Sequence, residues 1–169
     1  MRADVLSDEL AYCSTPRSQN VGLVVFSLSS TRNEPHSRAL HFAYNPLPMI
    51  SKISPMGGSL SGGDVVHVHG TGFFASEDFQ CRFGDTLVSA TWLGDTYASC
   101  RTPSSKNPSK TSFEITTNGV DFSDSQLFYE YHSRVVVSSV IPEQGPSHGG
   151  TSLTIHGSNF ENTAHLRCR

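Results

Sequence analysis

Gly62-Gly63-Asp64-Val65-Val66-His67-Val68-His69-Gly70 returns as Gly149-Gly150-Thr151-Ser152-Leu153-Thr154-Ile155-His156-Gly157, an offset of 87 residues. Strand side chains alternate between two faces, and both copies obey one register. Val66 and Val68 match Leu153 and Ile155, while His67 and His69 match Thr154 and His156. The same offset carries Pro55 to Pro142, Phe73 to Phe160, Cys81 to Cys168 and Tyr44 to Tyr131. It also carries Cys13-Ser14-Thr15-Pro16 to Cys100-Arg101-Thr102-Pro103, with no insertion or deletion between. A fixed period of this kind marks a repeat architecture. It predicts one complete module over residues 47–133, the C-terminal half of another over 1–46, and the N-terminal half of a third over 134–169.

Within the complete module, short alternating stretches are separated by Gly, Pro, Ser and Asn clusters, the pattern of an all-β sandwich. Strands are predicted over 49–54, 65–69, 79–83, 86–93, 97–101, 113–117, 120–122 and 127–131. Pro55 and the stretch 56–63, with Gly62 and Gly63, read as a turn. Gly70 to Phe73 reads as an exit from the strand, with Phe73 as a core plug. Gly84-Asp85 reads as a turn, and 102–110, including Pro103, as a polar loop. Asn118-Gly119 between alternating strands is a strong hairpin signal, because both turn residues then take positive φ. No stretch sustains a helical period. Pro46-Leu47-Pro48 and 132–135 are joints too short for flexible tethers, which predicts stacked modules.

Composition narrows the function. Twelve basic and 15 acidic residues give a net charge of −3, without the basic stripe of a nucleic-acid binder. The densest basic stretch, Arg101 to Lys110, reads as a solvated loop. No apolar run is long enough for a membrane helix, and no apolar leader follows Met1. Asn107-Pro108-Ser109 is disqualified as a glycosylation acceptor by its proline.

The four cysteines fill two equivalent positions. Cys81 and Cys100 lie 19 residues apart within one module, so they are the expected bridge. The partners of Cys13 and Cys168 would fall outside the chain, which leaves both unpaired. The alternative is four buried thiols in a reducing compartment. No Cys-x-x-Cys spacing points to zinc.

Gly-Gly before an alternating strand, then Gly-x-x-Phe, Cys-x-Phe-Gly and Cys-x-Thr-Pro resembles the immunoglobulin-like, plexin, transcription factor family of domains, IPT or TIG. The residues that carry the resemblance are Pro55, Gly62, Gly63, Gly70, Phe73, Cys81, Phe83, Gly84, Cys100, Thr102, Pro103 and the late strands from Phe113 to Tyr131. It implies an early-set immunoglobulin-like β-sandwich, one complete module flanked by two halves. In the extracellular branch of the family, tandem copies with this cysteine pair build the stalks of plexins, scatter-factor-type receptors and fibrocystin-like proteins. The transcription-factor branch generally uses one copy, for dimerisation or DNA contact, without the pair. The expectation is therefore a segment of a cell-surface or secreted protein. Its role would be structural, adhesive or part of a receptor ectodomain, with a protein partner, no nucleic acid, no cofactor and no enzymatic activity. The alternatives are an intracellular transcription-factor-type module and an accessory carbohydrate-binding domain.

Four features mimic chemistry. Gly145-Pro146-Ser147-His148-Gly149 matches a nucleophile-elbow pattern, but no helix follows, and the repeat puts Leu60 where Ser147 stands. Gly57 to Gly63 opens a strand and lacks the lysine of a phosphate loop. His67 and His69 share a face as a metal pair would, yet the second copy replaces one with Thr154. Trp92 could stack on a sugar, but reads first as a packing residue. No metal or catalytic residue is assigned. Finally, each half module would present strand edges and apolar surface, which predicts head-to-tail self-association.

Overall fold

The computed structural model describes residues 3–29, 38–160 and 166–168. The chain divides into two compact units, Met1–Leu47 and Pro48–Arg169. The first contains β1 (Asp4–Val5), β2 (Ala11–Tyr12), β3 (Gly22–Phe26) and β4 (Leu40–Tyr44). The second opens with β5 (Met49–Ser54), β6 (Gly57–Ser59), β7 (Val65–Thr71), β8 (Gln80–Phe83) and β9 (Thr86–Gly94). It continues with β10 (Tyr97–Arg101), β11 (Ser109–Thr116), β12 (Leu127–His132), β13 (Val136–Ile141) and β14 (Thr154–Ser158). No helix occurs among the described residues.

The complete module has the strand order β5-β7-β10-β9-β8-β11-β12-β6. Thr86 to Ser89 of β9 pair with β8, whereas Ala90 to Gly94 pair with β10. One long strand thus passes from one layer of the sandwich into the other. Alternation places Ile53, Val66, Val68, Ala98 and Cys100 inward from the first layer, and Cys81, Phe83, Phe113, Ile115, Tyr129 and Tyr131 inward from the second. Edge-to-face aromatic contacts knit the second set: Phe83 lies 5.0 Å from Phe113 and 5.4 Å from Tyr129 between ring centroids. Such geometry suits the ring quadrupoles and adds to the gain from burying area. Phe73 is buried 6.0 Å from Phe79 and closes one end of the core. The fold is all-β, an immunoglobulin-like sandwich.

Local chemistry departs from the sequence pattern in four places. Gly57–Ser59 is a short strand in parallel register with β12, not simply a turn. Glycines at 57 and 58 permit this approach, since a Cβ on Gly57 would press on the Glu130 carbonyl oxygen at 2.8 Å. Strand β7 runs through Gly70 to Thr71 before the chain turns away. Strand β11 begins at Ser109, inside the stretch expected to be loop, because Ser109 and Lys110 pair with Tyr131 and Glu130. Asn118-Gly119 is not a two-residue hairpin turn. Only Gly119 has positive φ, at 74°, and 120–122 contributes a single bridge, Thr116 to Phe122. The Asn118 side-chain oxygen instead accepts from the Val120 and Asp121 amides at 3.1 and 2.9 Å, an Asx-type turn that competes with ladder pairing.

The flanking segments reproduce their parts of the module at the offset of 87. Strand β13 pairs with β14 in the register of β5 with β7, including the irregularity at Val137/Ser139 that mirrors Ile50/Lys52. Ser138 Oγ donates to the His156 carbonyl as Ser51 Oγ does to that of His69. Peptide bonds before Pro55 and Pro142 are both cis. In the first unit, β3 and β4 repeat the register of β11 and β12, and β1 with β2 repeats that of β9 with β10.

Gly70 shows why one position tolerates no side chain. A Cβ there would collide with the Met49 carbonyl oxygen and lie 2.6 Å from the Phe73 ring. The clash is with backbone and with a buried ring, so Gly70→Ala is expected to lower stability by about 1–3 kcal/mol. Urea unfolding followed by Trp92 fluorescence should show a lower midpoint at unchanged slope.

Candidate functional site

Cys81 and Cys100 occupy inward positions on β8 and β10, and their sulfurs form a disulfide with Cα atoms 6.4 Å apart. Each faces strand β9, Cys81 opposite Val88 and Cys100 opposite Ala90. The bond therefore spans the two layers beside the point where β9 crosses. Cys13 is half-buried and Cys168 exposed, and both are free thiols.

A polar corner closes the module next to this bond. Gly62 and Gly63 take φ of 67° and 84°, a region that favours glycine. This turn lets the Gly63 amide donate to the Thr102 carbonyl at 2.8 Å, while the Thr102 amide donates to that of Asp64 at 2.9 Å. The Asp64 amide donates in turn to Thr102 Oγ1 at 3.1 Å, and the Asp64 carboxylate accepts from the Ser59 amide at 3.0 Å. Pro103 lacks an amide hydrogen, but its carbonyl accepts the Tyr131 hydroxyl at 3.0 Å. Tyr44 donates to the Pro16 carbonyl at 2.8 Å in the first unit, the same contact one repeat earlier. Repetition of the Thr-Pro pair and the tyrosine at 87 was the sequence signal for this corner. Asp64 and Tyr129 gave no such signal, because Thr151 and Phe42 stand in their places.

Tyr129 is fully buried in this corner and its hydroxyl has no hydrogen-bond partner among the described residues. Burial, then the Asp64 charge and the neighbouring Tyr131, push its pKa up to about 12. Thr102 opposes the shift weakly, without a bond of normal geometry. Burial and Asp64 also raise Tyr131.

Other features lie outside the corner. On the exposed face of β7 and β10, the Tyr97 hydroxyl lies 2.7 Å from His67 Nδ1, and its ring lies 4.8 Å from that of His69. Among the described residues no group of three or more His, Cys, Asp or Glu could hold a metal. Trp92 is half-exposed on β9 and donates from Nε1 to the Phe73 carbonyl at 3.3 Å. It rests against the sandwich and presents one face outward. Lys110 lies 5.0 Å from the Phe128 ring and 3.5 Å from Glu130, on the rim of a groove of about 1240 Å³ that Met56, Leu127 and Leu166 also line. Arg82 pairs with Glu114 and covers the Phe122 ring at 3.8 Å. Ser147 lies in the turn before β14, where the Gly149 amide donates to the Pro146 carbonyl. That turn leads into a strand, not the helix a nucleophile elbow requires.

Comparison with known proteins places these features. The profile of the IPT/TIG domain matches residues 48–131 and 136–169. Mouse Plexin-B2 is 30% identical over 126 residues, covering 69% of this chain and 7% of that protein. Human Fibrocystin-L is 31% identical over 113 residues, covering 67% of this chain and 3% of that protein. The chain thus spans less than a tenth of either relative. The solved full extracellular region of Plexin A4, domains 1 to 10, superposes with a TM-score of 0.50 at 22% identity, over 84% of this chain and 12% of that one. That likeness concerns the fold.

The raised tyrosine pKa fixes a sign for pH dependence. Unfolded tyrosine ionises near 10 and Tyr129 in the fold near 12, so the stability it secures is complete below pH 10 and is lost as pH rises toward 12. Two pH units correspond to roughly 2–3 kcal/mol. Tyr129→Phe should cost under about 1 kcal/mol at neutral pH, since no hydrogen bond is lost. It should also flatten the fall in urea midpoint between pH 10 and 12.

Proposed function

The chain belongs to the IPT/TIG domain family, and from that premise we propose that it is a non-catalytic segment of an extracellular or cell-surface protein. Its three parts, residues 1–46, 47–133 and 134–169, are successive repeats of one sandwich, and their role is structural spacing and recognition of a protein partner. The observation that carries this reading is the Cys81–Cys100 bond across the two layers, with both cysteine positions repeated in the flanking segments. Disulfides persist in oxidising compartments, outside the cytosol, and they matter most where a module is too small to be held by its core alone. The matching Plexin A4 structure is an extracellular region, and the plexin and fibrocystin relatives support the same compartment.

The outer surface suits recognition. The His67, Tyr97 and His69 face and the groove beside Lys110 and Phe128 combine aromatic area with polar edges, the composition from which protein contacts are made. Neither includes an activated nucleophile, which favours binding over catalysis.

Secreted full-length chain, alkylated under native conditions and mapped by mass spectrometry without reductant, tests the compartment. Cys81 and Cys100 should appear as one linked peptide pair, 2 Da below the reduced mass. Alkylation at both positions would overturn the reading and favour the intracellular type of module. The double variant Cys81→Ala/Cys100→Ala should lose about 3 kcal/mol of stability, as expected for a 19-residue loop in the chain-entropy model.

A further inference from the structure

Of the seven asparagines in the chain, only Asn118 precedes a glycine. Asparagine is chemically labile, and in an open chain its carboxamide carbon is attacked by the backbone nitrogen of the next residue. A glycine there favours the attack, because it has no side chain to keep the two atoms apart and its backbone is free to turn. Asn118 lies at the exposed end of the module, in the loop after β11, and neither the disulfide nor the recognition surfaces use it.

The fold holds every reacting atom in another bond. Asn118 Oδ1 accepts from the Val120 and Asp121 amides at 3.1 and 2.9 Å, and from the Thr116 hydroxyl at 3.2 Å. Its Nδ2 donates to Asp121 Oδ2 at 2.8 Å. The Gly119 nitrogen, which would attack, donates to Thr116 Oγ1 at 3.0 Å, and Thr116 is fully buried. Asp78 packs on the glycine from the loop before β8, 3.5 Å from where a Cβ would stand. The far side of the loop is anchored by Ser123, whose amide donates to the Ile115 carbonyl at 2.9 Å while its Oγ accepts from the Ile115 amide at 3.0 Å.

We propose that Asn118 is a latent site of spontaneous deamidation, kept inert by the closed turn, and that its product holds the turn open. The Gly119 nitrogen bonds to Asn118 Cγ, the Cγ–Nδ2 bond breaks, and Nδ2 leaves as ammonia with the former amide proton. Water then adds to either carbonyl of the cyclic succinimide and opens it, to aspartate or to isoaspartate. The only co-reactant is water. Attack requires Gly119 to leave Thr116 and the carboxamide to release the Val120 and Asp121 amides, so it proceeds through local opening. Afterwards an oxygen stands where Nδ2 donated to Asp121, and two carboxylates repel where a hydrogen bond had been. Isoaspartate also adds a backbone carbon, which shifts the amides that the side chain had bound. Reclosure is opposed in both products. Phe122, which bridges to Thr116 and lies under Arg82, is loosened with the loop. One opening is thereby recorded as a permanent change of charge and shape, whatever the compartment or partner.

The test incubates the full chain in mildly alkaline buffer, with and without unfolding urea at the same pH, and follows each asparagine by peptide mapping. In urea, Asn118 should convert ahead of the other six asparagines, to a mixture of aspartate and isoaspartate. Without urea its conversion should be at least about tenfold slower, the ratio reporting the cost of opening the turn. Asn118→Asp, which mimics one product, should unfold at a lower urea concentration with unchanged slope. Adding Asp121→Asn should restore most of that loss, since it returns a donor to the pair. Equal conversion rates with and without urea would overturn the proposal. So would an Asn118→Asp midpoint equal to wild type, or a loss that Asp121→Asn leaves unrelieved.

Discussion

Strand β9 hydrogen-bonds to β8 through Thr86 to Ser89 and to β10 through Ala90 to Gly94, so its backbone carries the chain from one layer of the sandwich into the other. Most of the buried apolar side chains of the complete module lie between the layers that this crossing joins. Cys81 and Cys100 flank it on the two partner strands, and their bond fixes the spacing at which Val66, Val68 and Ala98 meet Phe113, Ile115 and Tyr129. Sheets slide and separate more easily than strands within a ladder, because side-chain packing alone holds them face to face. A covalent tie at the crossing removes that freedom where the chain already turns the corner.

At the neighbouring end the same problem is solved with polar groups. Buried backbone amides and carbonyls must be paired, and the glycine turn, Asp64, Thr102 and Tyr131 satisfy one another across three segments distant in sequence. The corner recurs in the first unit as Tyr44 on Pro16.

Fold alone assigns no function, so the proposed recognition has to be carried by particular side chains. Within the core, burial raises the pKa of both Tyr129 and Tyr131. What remains for recognition is the aromatic and histidine surface of β7 and β10, the half-exposed Trp92 and the Lys110–Phe128 rim. They are the solvent-facing aromatic groups on which the proposed recognition rests.

The period of 87, the alternation in β7 and β14 and the recurrence of Cys, Thr-Pro and Tyr were all legible in the chain itself, because each depends on residue type at a fixed spacing. They determined an all-β repeat, its inward and outward faces and the positions of the paired cysteines. The passage of β9 between layers, the parallel pairing of Gly57–Ser59 with β12 and the Asx turn at Asn118 were decided by tertiary structure. So were the burial of Tyr129 beside Asp64 and the meeting of Tyr97 with His67 and His69. Each of these is a contact between segments whose local pattern is compatible with several partners, and the winning partner is selected by the one arrangement that buries the apolar faces while leaving almost no polar group unpaired.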